Sequence, residues 1–226
     1  MDQKEILDFL RKNTQLLEKG NFDELYKKAS FTPGLKISAL TTFLLEADIE
    51  PLDYLTSVPN YYMKRVKSIT MTIIPDNVTS IGNDAFYGCT GLTSVTVGNS
   101  VESIGGSAFE SCISLTSVTI PNSVTFIGED AFFGCIGLTS VTIGNSVASI
   151  GDSAFYDCAG LTSVIIPESV EVIGNFAFEL CVSLKDIYYK GTKMQWNEIK
   201  KGHYWDDKAD KYTVHCTDGV IKDIRR

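Results

Sequence analysis

Apolar residues in the middle of the chain recur at a fixed interval of 23 positions. The segment LTSVTIPNSV at 115–124 is flanked, one interval away on either side, by LTSVTVGNSV and LTSVTIGNSV. Self-similarity with a period of roughly 20 to 29 residues is typical of a solenoid in which each repeat forms one coil. The aligned columns keep step without insertions: Cys89, Cys112, Cys135, Cys158, Cys181; Leu92, Leu115, Leu138, Leu161, Leu184; and Phe86, Phe109, Phe132, Phe155, Phe178.

The spacing of apolar residues changes within each repeat and thereby predicts its elements. LTSVTI has the alternation of a β-strand with one buried face. A second short strand, SVxxIG, follows a corner that is either Pro, with its fixed φ, or Gly, which tolerates positive φ. The spacing of Ala85, Phe86 and Cys89 predicts a short helical turn. We expect oxygen-bearing side chains just ahead of these turns to cap them: Asp84, Ser107, Asp130 and Ser153.

A single coil of this kind is not expected to fold alone. It holds about eight apolar side chains worth ~1.5 to 3 kcal/mol each when buried, whereas ordering its backbone costs ~1 to 2 kcal/mol per residue. When coils stack, each coil covers the apolar surface that its neighbour would otherwise expose, and the strand amides pair between coils. We therefore predict a right-handed, five-coil solenoid of parallel strands and short helical turns over 66–183.

The register of the first coil requires an irregularity. VKSITM at 66–71 fits the strand template, which leaves Thr72 and Ile73 as two extra residues before Ile74. We predict a β-bulge at this point.

Both ends of the solenoid require covering, because a bare end coil exposes apolar surface. Residues 1–65 are predicted to be helical, as a small domain or as an extended lid on the first coil. Residues 184–226 are predicted to form a C-terminal α/β cap. Capping and helix-breaking residues place four helices in the N-terminal region: Asp2 to Gly20, Asn21 to Ser30, 37–47, and Pro51 to Val58.

Charge excludes one class of partner. The net charge is −8, and the stretch 69–183 carries 11 acidic residues with no Lys or Arg. Nucleic-acid affinity depends on Lys and Arg displacing counterions from phosphate, so we expect no nucleic acid to bind this region. The acidic residues also suit the solubility of an elongated molecule.

Membrane insertion and export are not predicted. No run approaches the ~20 apolar residues of a membrane-spanning helix. The opening segment MDQKEILDFL mixes acidic residues with a broken apolar pattern, unlike a secretory signal. We expect a cytoplasmic or virion-associated protein unless an export signal has been removed.

The cysteine column is the first candidate for chemistry. Zinc ligands converge on one point, whereas these five thiols are spread along an axis. Neighbours at ~5 Å would be within disulfide range, but five in a row cannot all pair. We interpret the column as buried thiols that fill space as small hydrophobes, and Cys216 as structural too. We expect no metal and no cofactor.

The two histidines, His203 and His215, are the other candidates. A hydrolase could use His215 with Cys216, but adjacent residues of a strand face opposite sides. The sequence contains no glycine-rich phosphate loop between a strand and a helix and no calcium-loop motif. We predict no catalytic residue; an enzyme working through the C-terminal segment, and therefore through His215, is the remote alternative.

The repeat LTSVTIPNSVTFIGEDAFFGC resembles the BspA-type (Treponema pallidum type) leucine-rich repeat over Ile69 to Ser183. LKDIYYKGTKMQWNEIKKG and YTVHCTDGVI are similar to the closing segment of that family: an aromatic-rich strand, a Trp-bearing helix and a final strand. Residues 44–63 resemble the front end of gut-bacterial and phage-encoded members. The resemblance implies a leucine-rich-repeat solenoid and a role in adhesion or coaggregation at bacterial surfaces. Known adhesins of the family usually carry an export signal, and we expect this chain to depart from them there.

The outward positions of the LTSVTI strands are the predicted partner-binding surface. Ladders of this kind on the sheet of a solenoid bind macromolecules; alternatively, Ser and Thr are simply tolerated on a solvated β face. We predict a non-enzymatic protein-interaction or adhesion module, with a structural spacer of a phage or cell surface as the alternative. The predicted binding residues form two columns: Ser94, Ser117, Ser140, Ser163; and Thr96, Thr119, Thr142, Ile165.

A second candidate surface lies on the predicted helical turns. Exposed aromatic rings there would be unusual on a passive surface, and the alternative is that they pack on neighbouring coils. The column consists of Tyr87, Glu110, Phe133, Tyr156 and Glu179.

Overall fold

Each repeat forms one coil that adds a strand to each of two sheets. In the computed structural model the residues described are 3–13, 15–16, 22–31, 40, 55–209 and 211–222. The short sheet consists, in spatial order, of β1 (Ser57–Val58), β3 (Ser80–Ile81), β5 (Ser103–Ile104), β7 (Phe126–Ile127), β9 (Ser149–Ile150), β11 (Val172–Ile173) and β13 (Lys200–Lys201). The protein is therefore a β-solenoid of about seven turns, two more than the five coils predicted.

The long sheet runs beside the short one. Its strands are β2 (Met71–Ile74), β4 (Ser94–Val97), β6 (Ser117–Thr119), β8 (Ser140–Thr142), β10 (Ser163–Ile166), β12 (Asp186–Tyr189), β14 (Thr213–Cys216) and β15 (Gly219–Lys222). All neighbours pair in parallel except β14 and β15, which form an antiparallel hairpin. Partners along the repeats lie one sequence period apart, as Ser163 and Asp186 do, so the period of the sequence is the register of the sheet.

The segments predicted as helical turns are a third ladder between coils. Asp84 has a φ of 54°, and its N–H donates to the Gly106 carbonyl of the next coil at 2.9 Å. Two residues on, the Phe86 N–H donates to the Ala108 carbonyl at 2.7 Å. The prediction of capped helical turns was wrong, because alternate amides are satisfied by the neighbouring coil. Equivalent residues share the left-handed φ: Ser107, Asp130, Ser153 and Phe176.

The core is a set of side-chain columns enclosed by these three ladders. The five phenylalanines of the repeat, from Phe86 to Phe178, are fully buried and stack at 5.1 to 5.2 Å between ring centroids. Edge-to-face contacts end the stack, with Tyr62 against Phe86 and Trp205 against Phe178. Parallel stacking is a consequence of the constant register, and the end residues replace it with the T-shaped geometry that free aromatic pairs prefer.

Glycine occurs at the corners because the coils approach closely there. A Cβ added to Gly98 would lie 2.6 Å from the Pro75 carbonyl oxygen of the preceding coil, and one on Gly144 would clash with Pro121. Positive φ, which we expected at these corners, occurs instead at Gly88 and Gly134 in the turn segments. The corner glycines therefore set the spacing between coils rather than the direction of the chain.

The first coil contains no bulge. Met71 pairs with Ser94 and Ile74 with Val97, which is the ordinary register of the repeat. The predicted register was wrong by three residues: the strand template begins at Ile69, and Thr72 takes the inward place that Val95 has in the next coil. Thr72 is a buried polar residue, and a polar side chain at this inward position breaks the apolar pattern from which the register was predicted.

The N-terminal region contains two described helices, α1 (Gln3–Lys12) and α2 (Phe22–Ser30). The first ends earlier than the predicted Gly20, and the Asn13 side chain donates to the Phe9 carbonyl there. The second ends at Ser30, as predicted. Of the predicted helix at 37–47 only Leu40 is described, and that residue is helical.

The helix predicted from Pro51 to Val58 was wrong at its end, because Ser57 and Val58 form β1. Residues 51–54 are outside the described part of the chain. Buried residues of the helical region, Leu25, Ala29 and Leu40, belong to the same apolar cluster as Val58 in the first coil.

The C-terminal segment continues the coil with an insertion. Val172 of β11 pairs with Lys200 of β13, whereas the ordinary period would have placed its partner at Gln195. The additional length accommodates α3 (Lys193–Glu198), which begins with a capping box formed by Thr192 and Gln195. The predicted final strand is the hairpin of β14 and β15.

Replacing Gly128 by Ala is expected to destabilise the protein by about 1 to 3 kcal/mol or more, the range for an overpacked core. The new Cβ would lie 2.6 Å from backbone of Gly105, which cannot move without disturbing the short sheet. Urea unfolding measures the loss. Gly106→Ala is the control, since its Cβ would meet its nearest atom at 3.4 Å. Equal losses in both variants would contradict the close approach of coils.

Candidate interaction surface

The eight predicted binding residues lie on one face of the long sheet. They occupy alternate positions of β4, β6, β8 and β10, and the residues between them, such as Val118 and Val141, are buried. Ser117 pairs with Ser140 and Thr119 with Thr142, so each column follows the sheet register. Side chains at 94, 96, 117 and 119 are exposed, and those at 140, 142, 163 and 165 are partly exposed.

The face extends beyond these eight residues at both ends. Met71 and Ile73 of β2 continue the two columns and are 65% and 62% exposed. The repeat pattern did not indicate them, because the polar Thr72 shifts the apparent register of the first coil. At the other end Asp186 and Tyr188 continue the columns on β12. The face therefore has two apolar side chains at one end, a carboxylate and an aromatic ring at the other, and mainly hydroxyls between them.

His215 lies on this face, where it pairs with Tyr188 of the neighbouring strand. Its Nε2 lies 2.6 Å from Asp186 Oδ1, and its ring stacks on Tyr188 at 4.8 Å. The neighbouring Cys216 packs partly against the core. Burial, with a smaller effect from Asp218, raises the pKa of the Cys216 thiol and so disfavours the nucleophilic thiolate. His203, the other histidine, is exposed, and its backbone N–H donates to Asn175 Oδ1 at 2.8 Å.

The cysteine column is a hydrogen-bonded ladder. Each Sγ lies near the carbonyl oxygen of a residue 26 positions earlier, as Cys112 does at 3.2 Å from Phe86 and Cys135 at 3.1 Å from Phe109. The thiols therefore do more than fill space: each donates weakly to a carbonyl of the preceding coil. All six cysteines, each within the described part of the chain, are free.

Burial makes the column thiols unreactive. Desolvation raises the pKa of Cys89, Cys135 and Cys181 to about 12, and it raises the pKa of Cys112 and Cys158 well above the ordinary value of a thiol. Among the described residues, no group of three or more His, Cys, Asp or Glu side chains is arranged to hold a metal ion.

The second candidate column forms a surface on the turn segments, which we call the turn face. Glu179 is buried, and the other four members, Tyr87, Glu110, Phe133 and Tyr156, are partly buried. Phe133 and Tyr156 stack on each other at 4.7 Å, with 7° between their planes. Tyr87 is contacted by cations: Lys64 Nζ lies 4.5 Å from its ring centroid, and the Arg65 guanidinium lies 5.5 Å from it. Contacts with neighbouring coils therefore cover part of each of these three aromatic rings.

Acidic side chains of the turn face repel one another at Asp130. Burial, followed by the charges of Glu129, Glu110 and Asp152, raises the pKa of Asp130 to about 6. The aligned Asp84 is different, because Lys64 Nζ lies 2.7 Å from its Oδ1. The two aspartates occupy the same backbone position in different electrostatic environments.

Comparisons with known proteins match this architecture. The model of the BspA type leucine rich repeat region matches residues 56–185 in six copies. Among solved structures, the Treponema pallidum leucine-rich repeat protein is 31% identical with a TM-score of 0.60, over 66% of this chain and 67% of that chain. No curated protein gives a match in the corresponding sequence search.

Two further structures are similar over smaller parts of their lengths. A leucine-rich cell surface protein from Faecalibacterium prausnitzii is 28% identical with a TM-score of 0.41, over 66% of this chain and 55% of that chain. The pneumococcal vaccine antigen PcpA is 26% identical with a TM-score of 0.48, over 54% of this chain and 30% of that chain. None of the helices in the described part of the chain has the length and apolar character that crossing a bilayer requires.

Alkylation of the native protein at pH 8 is expected to modify Cys216 and to leave the five column cysteines unmodified. The reason is that iodoacetamide reacts with the thiolate, which burial suppresses throughout the column. Peptide mass spectrometry before and after addition of urea identifies the modified residues. Rapid alkylation of Cys135 in the folded protein would contradict the buried ladder.

Replacing Asp130 by Asn is expected to raise the melting temperature at pH 7.5 by about 1 to 3 °C. Because the folded-state pKa is about 6 and the unfolded value 3.8, the folded protein binds this proton more tightly. The folded protein therefore loses stability as the pH rises from 3.8 to about 6. The gain in melting temperature from Asn becomes smaller as the pH is lowered towards about 4. Asn also tolerates the positive φ.

The matched control is Asp84→Asn, which removes the partner of Lys64. It is expected to leave the melting temperature at pH 7.5 unchanged or lower. The same gain in both variants would show that the repulsion at Asp130 is not specific to its surroundings.

Proposed function

Because the chain belongs to the BspA-type leucine-rich-repeat family, we propose that it is an interaction module that binds a protein through the outward face of the long sheet. Proteins of this family are generally interaction or surface modules. The observation that carries the proposal is the alignment of exposed outward side chains, in register, on adjacent parallel strands. Adhesion to a macromolecule on another surface is the form of binding that the family resemblance implies.

The chemistry of the face suits a protein partner. Hydroxyl groups in its middle can donate and accept hydrogen bonds, and the exposed side chains of Met71, Ile73 and Tyr188 can bury apolar area. Within the eight-residue surface there is no Lys or Arg to bind phosphate. The face therefore lacks the means to bind nucleic acid and has those that a protein interface uses.

The rigidity of the face supports binding. Central strands such as β8 are hydrogen-bonded on both sides, so the face does not have to become ordered when a partner docks. Ser and Thr have short side chains, and little rotamer entropy is lost when they are covered. The affinity of such a surface depends on its fit to the partner more than on any single residue.

We propose that the two ends act as lids. Residues preceding the first coil cover it, since Leu25, Ala29 and Leu40 are buried in the same cluster as Val58. The described residues of the C-terminal segment, 184–209 and 211–222, cover the other end, where Trp205 lies edge-on against Phe178 and Trp196. The solenoid itself begins with β1, ahead of residue 66, because Ser57 pairs with Ser80 in the ordinary register.

The alternative of a structural spacer is favoured by one observation, the continuous core shared by all turns. A spacer needs rigidity and no binding surface, so the two functions differ in what the outward face contributes. An enzymatic function has no comparable support, because Cys216 is partly buried with a raised thiol pKa and His215 pairs with Asp186.

A double variant with Ser117→Lys and Thr119→Lys is expected to lose at least tenfold in recovery of the partner in a pull-down, because two cations would protrude from the centre of the face. The control has Ser146→Lys and Ala148→Lys, exposed positions near the short sheet that give the same change in charge. Equal recovery by the wild type and both variants would contradict binding through this face and favour the spacer.

Replacing Trp196 by Ala is expected to cost about 3 to 5 kcal/mol in urea unfolding, as for a large buried aromatic residue. Trp196 is 2% exposed and contacts both Tyr189 and Trp205. Met194, in the same helix, is 68% exposed, and Met194→Ala should be nearly neutral. A neutral Trp196→Ala would contradict the role of the C-terminal segment as a lid.

A further inference from the structure

The turn face contains one cation-binding arrangement that the chain itself fills. Lys64 Nζ lies 2.7 Å from Asp84 Oδ1, 4.5 Å from the Tyr87 ring centroid and 4.8 Å from that of Tyr61. A carboxylate and two aromatic rings thus hold one ammonium group. The contact joins neighbouring coils, because Lys64 precedes Tyr87 by one full repeat.

Part of this arrangement recurs two coils further on without its cation, with Ser107 in the place of Tyr61. Asp130 and Phe133 follow Asp84 and Tyr87 by two repeats, and both aspartates have positive φ. Glu110 stands where Lys64 stands in the first coil. An acidic residue therefore replaces the basic one, and the carboxylate that the lysine would neutralise has a second carboxylate beside it.

The recurring arrangement also has two aromatic rings, but its second ring comes from the following coil. Phe133 stacks on Tyr156 of the following coil, and both rings remain partly exposed. Backbone bonds fix this geometry, since the Gly134 N–H donates to the Tyr156 carbonyl at 2.8 Å. The rings therefore form a rigid surface next to the carboxylates.

No cation of the solenoid neutralises these carboxylates. The stretch 69–183 contains no Lys or Arg, and within the described part of the chain no basic side chain pairs with Glu110 or Asp130. Burial and the neighbouring acids also raise the pKa of Asp130. By contrast, Asp84 and Glu179, towards the two ends of the turn face, pair with Lys64 and Lys208. The central carboxylates are thus the ones left for an external cation.

We propose that Glu110, Asp130, Phe133 and Tyr156 form a binding site for an arginine or lysine side chain from a basic segment of a partner protein. The carboxylates supply charge-assisted hydrogen bonds, and the ring pair supplies a cation–π contact. The site is separate from the long-sheet face and does not depend on the function proposed for that face. Such a partner differs from nucleic acid in the sign of its charge.

The test is an NMR titration of the full-length, ¹⁵N-labelled protein with a peptide of four Arg-Gly units. A peptide with citrulline in place of arginine has nearly the same shape without the charge. We expect saturable shifts centred on the amides of Asp130, Phe133 and Tyr156 with the arginine peptide and none with the citrulline peptide. Equal binding of both peptides, or no shifts at millimolar peptide, would overturn the proposal.

Variants distinguish a site from general attraction to an acidic protein. Asp130→Asn, which keeps the backbone conformation, is expected to weaken binding of the arginine peptide about tenfold. Glu102→Gln removes the same charge from an exposed position outside the turn face and should change the dissociation constant less than twofold. Similar weakening by both, or shifts spread over all acidic coils, would show long-range electrostatics only and overturn the site.

The two proposed binding surfaces can be tested independently of each other. The double variant Ser117→Lys with Thr119→Lys alters the long sheet and leaves the turn-face residues in place. It is expected to bind the arginine peptide with less than a threefold change. Loss of peptide binding in this variant, together with wild-type shifts centred on β6, would place the peptide on the sheet and overturn the turn-face site.

Discussion

Backbone hydrogen bonding between successive coils is the constraint on which the rest of the structure depends. Each turn offers amides and carbonyls along three edges: the short strand, the turn segment and the long strand. A polar group left unpaired beside the core would cost roughly 1 to 3 kcal/mol, so the neighbouring coil has to supply a partner for the strand amides and for alternate amides of the turn segment. This requirement fixes the repeat length, because a repeat of another length would bring its donors out of line with the next coil. The one longer repeat, between β11 and β13, keeps its register only because α3 takes up the additional residues.

The core follows from that register. Identical positions lie above one another, so the sequence can use the same residue type in each coil and obtain a continuous stack, as with the phenylalanines. The cysteines are placed by the same rule and add a weak hydrogen bond to a carbonyl of the preceding coil. Glycine at the corners allows the backbones to approach within the distance that the ladders require. A substitution at any of these columns therefore disturbs the packing of two neighbouring coils.

Periodicity predicted the solenoid, the inward columns and the outward columns of the long sheet, because these depend only on repeat length and alternation. It did not predict the turn segments: the i, i+1, i+4 spacing of Ala85, Phe86 and Cys89 is common to a helical turn and to a turn whose alternate amides bond to the next coil. It also failed at the first coil, where Thr72 is polar in an inward position and shifted the apparent register. Of the candidate surfaces, the hydroxyl columns could be located from the sequence. The pairing of Lys64 with Asp84 could not, because it depends on the φ of Asp84 and on the contact between two coils.

The central claim is that alternate amides of each turn segment donate to the next coil, whereas the amides between them donate three residues back within the segment. Scalar couplings across hydrogen bonds, measured by NMR on the deuterated protein, identify each donor and acceptor directly. The account predicts a coupling from the Phe132 amide nitrogen to the Ala154 carbonyl carbon, and one from Phe109 to Ala131, whose N···O distances are both 2.8 Å. A coupling from Phe132 to Gly128 within its own coil, or rapid exchange of the Phe132 amide with solvent, would contradict it.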